Sequence, residues 1–232
     1  MKTIQPFFHY SKNMITKQTL RNLALCVAAT GFFAGCATAN YNKAASTSAA
    51  LTESAALVAK GSDQIDRSLA ALNDLMTNAQ PDLRVQFKTF DTSVNDLGDN
   101  AKAVSSEAED MQAQGTAYFD EWDKELAGIR NEDIRTRSEN RKDEATAKFT
   151  RMGRQYDATK AAFKPFMSDL RDVQKFLATD LTVDGLAAIK VPANKAAEDA
   201  VPLKQSLVDL STQFADMGVS LAPSAPAQVT AK

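Results

Sequence analysis

Histidine and cysteine are almost absent from this 232-residue chain. The single histidine is His9 and the two cysteines are Cys26 and Cys36, so residues 37–232 contain neither residue type. Ser-His-Asp and Cys-His nucleophiles, disulfides, and zinc sites with histidine or cysteine ligands are therefore excluded from that part of the chain. The sequence also lacks a GxGxxG fingerprint and a phosphate-binding Gly-Lys-Ser/Thr loop. We therefore expect neither an enzyme nor a bound cofactor.

Acidic residues are absent from the first 35 positions, where basic residues precede an apolar stretch, LALCVAATGFF, at 23–33. The basic residues are Lys2, Lys12, Lys17 and Arg21. A basic segment followed by about eleven apolar residues is typical of a secretory signal peptide, and the apolar stretch is too short to span a bilayer. Met14 is an alternative start to Met1, because Lys17 and Arg21 would still supply the basic segment.

Small residues, Ala34 and Gly35, stand directly before Cys36. This arrangement resembles the lipobox of bacterial lipoproteins, which implies removal of residues 1–35 and acylation of Cys36, for example with palmitate. Each buried methylene contributes about 0.8 kcal/mol of membrane affinity, so several acyl chains anchor a protein firmly. Ala37 stands where aspartate would resemble an inner-membrane retention signal, so we expect an outer-membrane lipoprotein that faces the periplasm. The alternatives are a secretory peptide cleaved elsewhere and an uncleaved membrane anchor.

Basic residues are not in excess once residues 1–35 are removed. That removal takes away four of the 27 Lys and Arg residues and no acidic residue, which leaves 23 against 29 Asp and Glu, a net charge of −6. Nucleic-acid binding and polybasic binding to lipid headgroups both need clustered excess basic charge. We therefore expect no nucleic-acid partner.

Glycine and proline are scarce, and apolar residues recur alternately four and three residues apart, which predicts helices that pack on one another. The sequence NAQPD at 78–82 interrupts this pattern, and IRNED at 129–133 offers helix-capping residues, so we place turns at both; a continuous helix through 129–133 is the alternative. The predicted core positions are Leu51, Ala55, Val58, Ser62, Ile65, Leu69, Leu72 and Met76; then Leu83, Phe87, Phe90, Val94, Leu97, Ala101, Val104, Ala108 and Met111; then Ala145, Phe149, Met152, Tyr156, Thr159, Phe163, Phe166, Leu170, Val173 and Leu177; and finally Leu203, Leu207, Leu210, Phe214, Met217 and Leu221.

The predicted fold is therefore all-α: an elongated antiparallel helical bundle or coiled coil of three long helices and a shorter fourth. The expected organisation is a signal peptide at 1–35, a lipidated N-terminus and polar spacer at 36–50, a helical coiled-coil domain at 51–221, and a disordered tail at 222–232.

Three groups of side chains admit both a functional and a structural interpretation. Acidic clusters at 107–110 and 120–123 could hold a divalent cation, but a solvated helix face is the better interpretation. Aromatic residues at core spacing are better explained as core than as a ligand pocket. The run RNEDIRTRSENRKDEA at 130–145 is either a solvated turn and helix start or a docking site for a protein partner; the residues of that candidate docking turn are Arg130, Asn131, Arg135 and Arg137.

Two stretches, 118–138 and 163–190, resemble an uncharacterised bacterial family, the domain-of-unknown-function family 2959. The matching positions are Phe119, Glu121, Trp122, Glu125, Leu126, Arg135, Ser138, Pro165, Asp172, Phe176, Leu177, Leu181 and Ile189. The chain departs from the family at ATDLTVDG, 178–185, where the family carries a Lys-His-Asn-Leu-Asn-like segment. The resemblance implies a helical fold and lends no activity.

These observations favour a non-enzymatic cell-envelope lipoprotein whose helices contact envelope proteins or a second copy of the chain. An apolar stripe left exposed after the helices pack would mark such a contact. The alternative is a periplasmic carrier that opens its helices around a lipid or another apolar ligand, with Pro165 as a hinge. A dry, tightly packed core would argue against the carrier.

Overall fold

The structure is a computed structural model that describes residues 35–222, with side chains described from residue 42 onward. It contains five helices and no strand within this range: α1 (Gly35–Thr77), α2 (Arg84–Gly128), α3 (Glu132–Thr179), α4 (Val183–Ala188) and α5 (Lys190–Leu221). None of the described helices is both long and apolar enough to cross a membrane. The predicted all-α class is confirmed, with three long helices and a shorter last one; the six-residue α4 was not predicted.

The long helices form an antiparallel bundle in which each packs between two neighbours. Hydrogen bonds join α1 to α2, where Asn100 Nδ2 donates to the carbonyl of Leu57 over 3.3 Å, and α1 to α5, where Ser211 Oγ donates to the carbonyl of Ala55 over 2.9 Å. Helix α3 packs on both α2 and α5. The order around the bundle is therefore α1, α2, α3, α5, and α2 alone is about 70 Å long.

The core of the bundle consists largely of the side chains that the four-three spacing predicts. Fully buried members come from every long helix, among them Ile65, Phe90, Phe166 and Phe214. In α3, however, the predicted core positions Phe149, Tyr156 and Phe163 are only half-buried, although they alternate with buried ones. The half-buried positions lie on the side of α3 that faces α2.

Two helices begin earlier than the sequence pattern indicates. Residues 36–50, predicted as a polar spacer, are helical and belong to α1, whose first buried side chain is Thr47. The last helix begins at Lys190, well before Leu203, the first core position predicted for it. The core positions before Leu203 are alanines: Ala193, Ala196 and Ala200. A search for large apolar residues misses such positions, although small side chains let helices approach closely.

The turns that join the helices are held by side chains. Between α1 and α2, Gln86 Nε2 donates to the carboxylate of Asp74 over 2.5 Å and to the carbonyl of Asn78 over 3.2 Å. Asn131 caps α3 by accepting the amide of Ile134 at Oδ1 over 3.1 Å. Both predicted turns are therefore present.

Candidate functional site

The predicted lipidation site lies at the start of α1. The helix begins at Gly35, so Cys36 belongs to its first turn. Side chains are described only from residue 42 onward, so that of Cys36 lies outside them. The predicted signal peptide, up to residue 34, and residues 223–232 of the predicted tail also lie outside the described residues. Lipidation of Cys36 stays a prediction from the sequence.

The candidate docking turn between α2 and α3 is a capped helix start with exposed charges. Asn131 is the helix cap, and the guanidinium of Arg135 pairs with Glu132 over 3.5 Å and with Glu139 over 3.6 Å. Arg130 and Arg137 are exposed. Local helix structure accounts for Asn131 and Arg135, which leaves two arginines to act as docking groups.

We expect Asn131→Ala to lower the free energy of unfolding by about 1 kcal/mol, because the amide of Ile134 loses its acceptor. Urea unfolding followed by circular dichroism measures the change. Arg137→Ala, at an exposed position early in α3, is the matched control and should leave stability within about 0.5 kcal/mol of wild type. An equal loss in both variants would contradict the capping role.

The two acidic clusters are not gathered into a cation site among the described residues. The carboxylate of Glu121 accepts from Lys124 over 3.3 Å and lies 3.6 Å from the ammonium of Lys43, contacts that hold its pKa below the usual value. Asp123 pairs with Lys142. Partial burial raises the pKa of Glu107, and the nearby carboxylates of Glu53 and Asp110 add to the effect. Solvated or lysine-paired carboxylates explain both clusters.

Aromatic residues near the α2–α3 turn pack on one another as predicted for core. Tyr118 meets Trp122 edge to face at 5.6 Å between ring centroids, and Phe119 meets Phe149 in the same way at 5.7 Å. The Nε1 of Trp122 donates to Ser138 Oγ over 2.9 Å, which ties α2 to α3. This cluster is packed against the hydrophobic core of the bundle.

A deep cavity lies further along the same pair of helices, and we name it the α2–α3 groove. Its volume is about 870 Å³, within the range of small-molecule sites. It opens between α2 and α3, and side chains of α1 and α5 form its floor. Its apolar lining comes from Val58, Leu97, Val104, Phe163, Met167, Leu207 and Leu210. The half-buried Phe163, predicted as core, is part of this lining.

Two glycines line the α2–α3 groove. Gly61 of α1 and Gly98 of α2 line it, and both are buried. A Cβ on Gly98 would lie 2.9 Å from Nη2 of Arg171, so the guanidinium occupies the space that a side chain would need. Gly98 therefore lets Arg171 pack closely on α2 at the groove, a feature that the four-three spacing does not report.

The polar side chains inside the groove bond to backbone carbonyls. Asn100 Nδ2 donates to the carbonyl of Leu57 over 3.3 Å, and Thr159 Oγ1 donates to that of Gln155 over 2.8 Å. The interior is consequently apolar in character. The rim, by contrast, is charged. It carries four basic side chains, Lys102, Lys160, Lys164 and Arg171, and two acidic ones, Asp157 and Asp172.

A stripe of valines remains exposed on the outer face of α5. Val201, Val208 and Val219 keep 69%, 50% and 77% of their surface exposed. Their spacings of seven and eleven residues are close to two and three helical turns, so the three side chains share one face. The valines are spaced singly along this face and do not form a continuous apolar patch.

Antiparallel helices of this length with short links define the class of helical-bundle proteins. Within that class, a family model described as "Protein of unknown function (DUF2959)" matches residues 41–216, and the chain belongs to this family. The match extends beyond the two stretches 118–138 and 163–190 and includes most of α1. Comparisons with curated proteins and with solved structures returned no match.

Proposed function

We propose that the protein is a non-enzymatic bacterial lipoprotein, anchored in the outer membrane through Cys36 and facing the periplasm. The observation that carries this proposal is the order of the N-terminal residues: four basic side chains, an apolar stretch, and Ala34-Gly35 directly before Cys36. The absence of histidine and cysteine after Cys36 supports the non-enzymatic part. Its bundle would contact envelope proteins or a second copy of the chain, and the singly spaced valines of α5 offer exposed apolar side chains for such contacts.

The register of α1 on α2 gives this anchor a direction. The ion pair between Lys43 and Glu121 sets the late part of α2 beside the early part of α1. Cys36 precedes Lys43 by seven residues and Gly128 follows Glu121 by seven, each about 10 Å of helix. The start of α1 and the α2–α3 turn therefore lie at the same end of the bundle. A lipid on Cys36 would hold that turn near the membrane and leave the groove, over 30 Å along α1, in the aqueous phase.

Replacement of the anchoring cysteine tests the proposal. We expect wild type, expressed in a Gram-negative host, to carry acyl mass and to fractionate with the outer membrane, because several acyl chains give firm attachment. Cys36→Ala should carry no lipid and be released or remain unprocessed. Intact mass and membrane fractionation are the measurements.

Cys26→Ala is the matched control, since Cys26 lies in the apolar stretch and not at the lipobox. This variant should be acylated and located as wild type is. If wild type and Cys36→Ala both lack lipid and fractionate alike, the anchor and the location proposed here are wrong.

A second candidate function is the transport of an apolar ligand, and the α2–α3 groove is the observation that favours it. A core with an 870 Å³ cavity is not the dry, closed core that would argue against a carrier. Pro165 lies in α3 beside the groove, and proline removes one hydrogen bond of the helix at that point. A weakened backbone there supports separation of α3 from α2.

A further inference from the structure

We propose that the α2–α3 groove binds a single-chain anionic amphiphile, with the alkyl chain in the apolar slot and the headgroup at a cluster of lysines on the rim. This inference rests on the second candidate function, because it names the ligand of that groove. It does not depend on the lipid at Cys36. Three features support it: the shape of the slot, the position of its cations and the lack of polar groups at its floor.

The slot is long and apolar. Its α3 wall runs from Tyr156 at one end to Asp172 at the other, sixteen residues or about 24 Å of helix. Leu207 and Leu210 of α5 close the floor, and both are almost fully buried. Such an interior favours a chain of methylenes, since each one buried contributes about 0.8 kcal/mol. A polar ligand of the same length would lose its hydrogen bonds to water without replacement.

Three lysines meet at one part of the rim. The ammonium of Lys160 reaches from α3 to Ser105 Oγ on α2 over 3.2 Å, which fixes the local register of the two antiparallel helices. Lys102 lies about one turn before Ser105 on α2, and Lys164 lies about one turn after Lys160 on α3. Both lysines are therefore near that contact. All three line the groove.

Within residues 35–222, Lys160 and Lys164 form no ion pair and Lys102 forms one exposed pair, so an anion can compete for all three ammonium groups. Lys102 is paired with Asp99 over 2.8 Å, but both side chains are 74% exposed, and such surface pairs contribute little. Among the described side chains, Lys160 contacts the neutral hydroxyl of Ser105 and lies 5.6 Å from the ring centroid of Tyr156. An anionic headgroup would replace these weak contacts with charge-assisted hydrogen bonds. Four basic side chains and two acidic ones, Asp157 and Asp172, line the groove, so its rim is net positive, in contrast with the net negative charge of residues 36–232.

Photolabelling with two matched probes tests this site. The full chain is extracted from host membranes into polymer-bounded nanodiscs, so that no detergent competes for the groove. Diazirine-bearing hexadecanoate supplies an anionic head, and diazirine-bearing hexadecanol supplies an uncharged one. We expect both probes to label residues 97–105 of α2 and 156–171 of α3, located by mass spectrometry of the peptides.

Charge reversal at the rim separates the headgroup from the chain. Lys160→Glu with Lys164→Glu should reduce labelling by hexadecanoate about tenfold or more and leave labelling by hexadecanol unchanged. The matched control, Lys88→Glu with Lys175→Glu, changes two exposed lysines on the same two helices outside the groove and should alter neither. Because all four positions are exposed, folding should be preserved in both variants.

Two results would overturn the proposal in different ways. If hexadecanol labels the groove but the Lys160/Lys164 variant retains full labelling by hexadecanoate, anion recognition is wrong and the carrier function stands. If neither probe labels the groove in wild type, both are wrong.

A filling variant gives an independent check. Ala101→Met places a larger side chain in the groove, and it should abolish labelling by both probes without lowering the melting temperature. Labelling that persists in this variant would show that the probes bind elsewhere.

Discussion

Phe166→Ala is expected to lower the free energy of unfolding by about 3–5 kcal/mol, whereas Phe163→Ala should cost about 1 kcal/mol. The two rings belong to the same helix and lie 6.2 Å apart between centroids, but their surroundings differ. Phe166 is 1% exposed, so its removal leaves a cavity in packed core. Phe163 is half-buried and borders the α2–α3 groove, where part of its surface already lacks neighbours. Urea unfolding of each variant measures the difference.

The slope of the free energy with urea should be the same in wild type and both variants, which shows that each unfolds from the same native state. Equal losses at the two positions would mean that Phe163 is as tightly packed as Phe166. In that case the groove would be closed in solution, and the carrier function would lose its structural basis.

The bundle could be predicted from the sequence because its signals are local. Core spacing depends only on the helical repeat, and Asn131 caps α3 through a contact with a residue three positions later. Pro81 similarly marks the turn between α1 and α2 through its own fixed backbone. Each of these features involves neighbours in the chain, so no knowledge of helix order is required.

The groove could not be predicted from the sequence, because it depends on which helices meet and in what register. Gly61 and Gly98 are thirty-seven positions apart and belong to different helices, yet both line the same cavity. Phe163 has the spacing of a core residue, and only the position of α2 shows that it faces a groove. The rim lysines likewise come together only through the antiparallel pairing of α2 with α3.

The extent of the last helix was missed for a different physical reason. Pro192 stands in the first turn of α5, where backbone amides have no partner within the helix, so proline is tolerated there. Pro202 lies on the exposed face and the helix continues through it. Prolines and small core residues such as Ala196 weaken the sequence signal for a helix that tertiary packing nevertheless stabilises.

Two glycine-to-alanine substitutions should change stability in opposite directions. Gly115 of α2 lies under the ring of Phe149, and a Cβ there would be 2.2 Å from Cζ of that ring. The ring would have to move and lose its edge contact with Phe119, so Gly115→Ala should cost about 1–3 kcal/mol despite the higher helix propensity of alanine. Gly153 of α3 is exposed with open space around it, and Gly153→Ala should add about 0.5–1 kcal/mol.

The comparison is informative because both glycines lie inside helices and the same methyl group is added. Helix propensity alone predicts that both alanines stabilise, whereas close packing of Phe149 on α2 predicts a gain only at 153. Thermal unfolding of the two variants beside wild type distinguishes these outcomes. A gain at both positions would show that the ring of Phe149 can move away from α2 at little cost. The aromatic cluster would then be loosely packed, and the ties between α2 and α3 near their turn would rest on polar contacts such as Trp122 to Ser138.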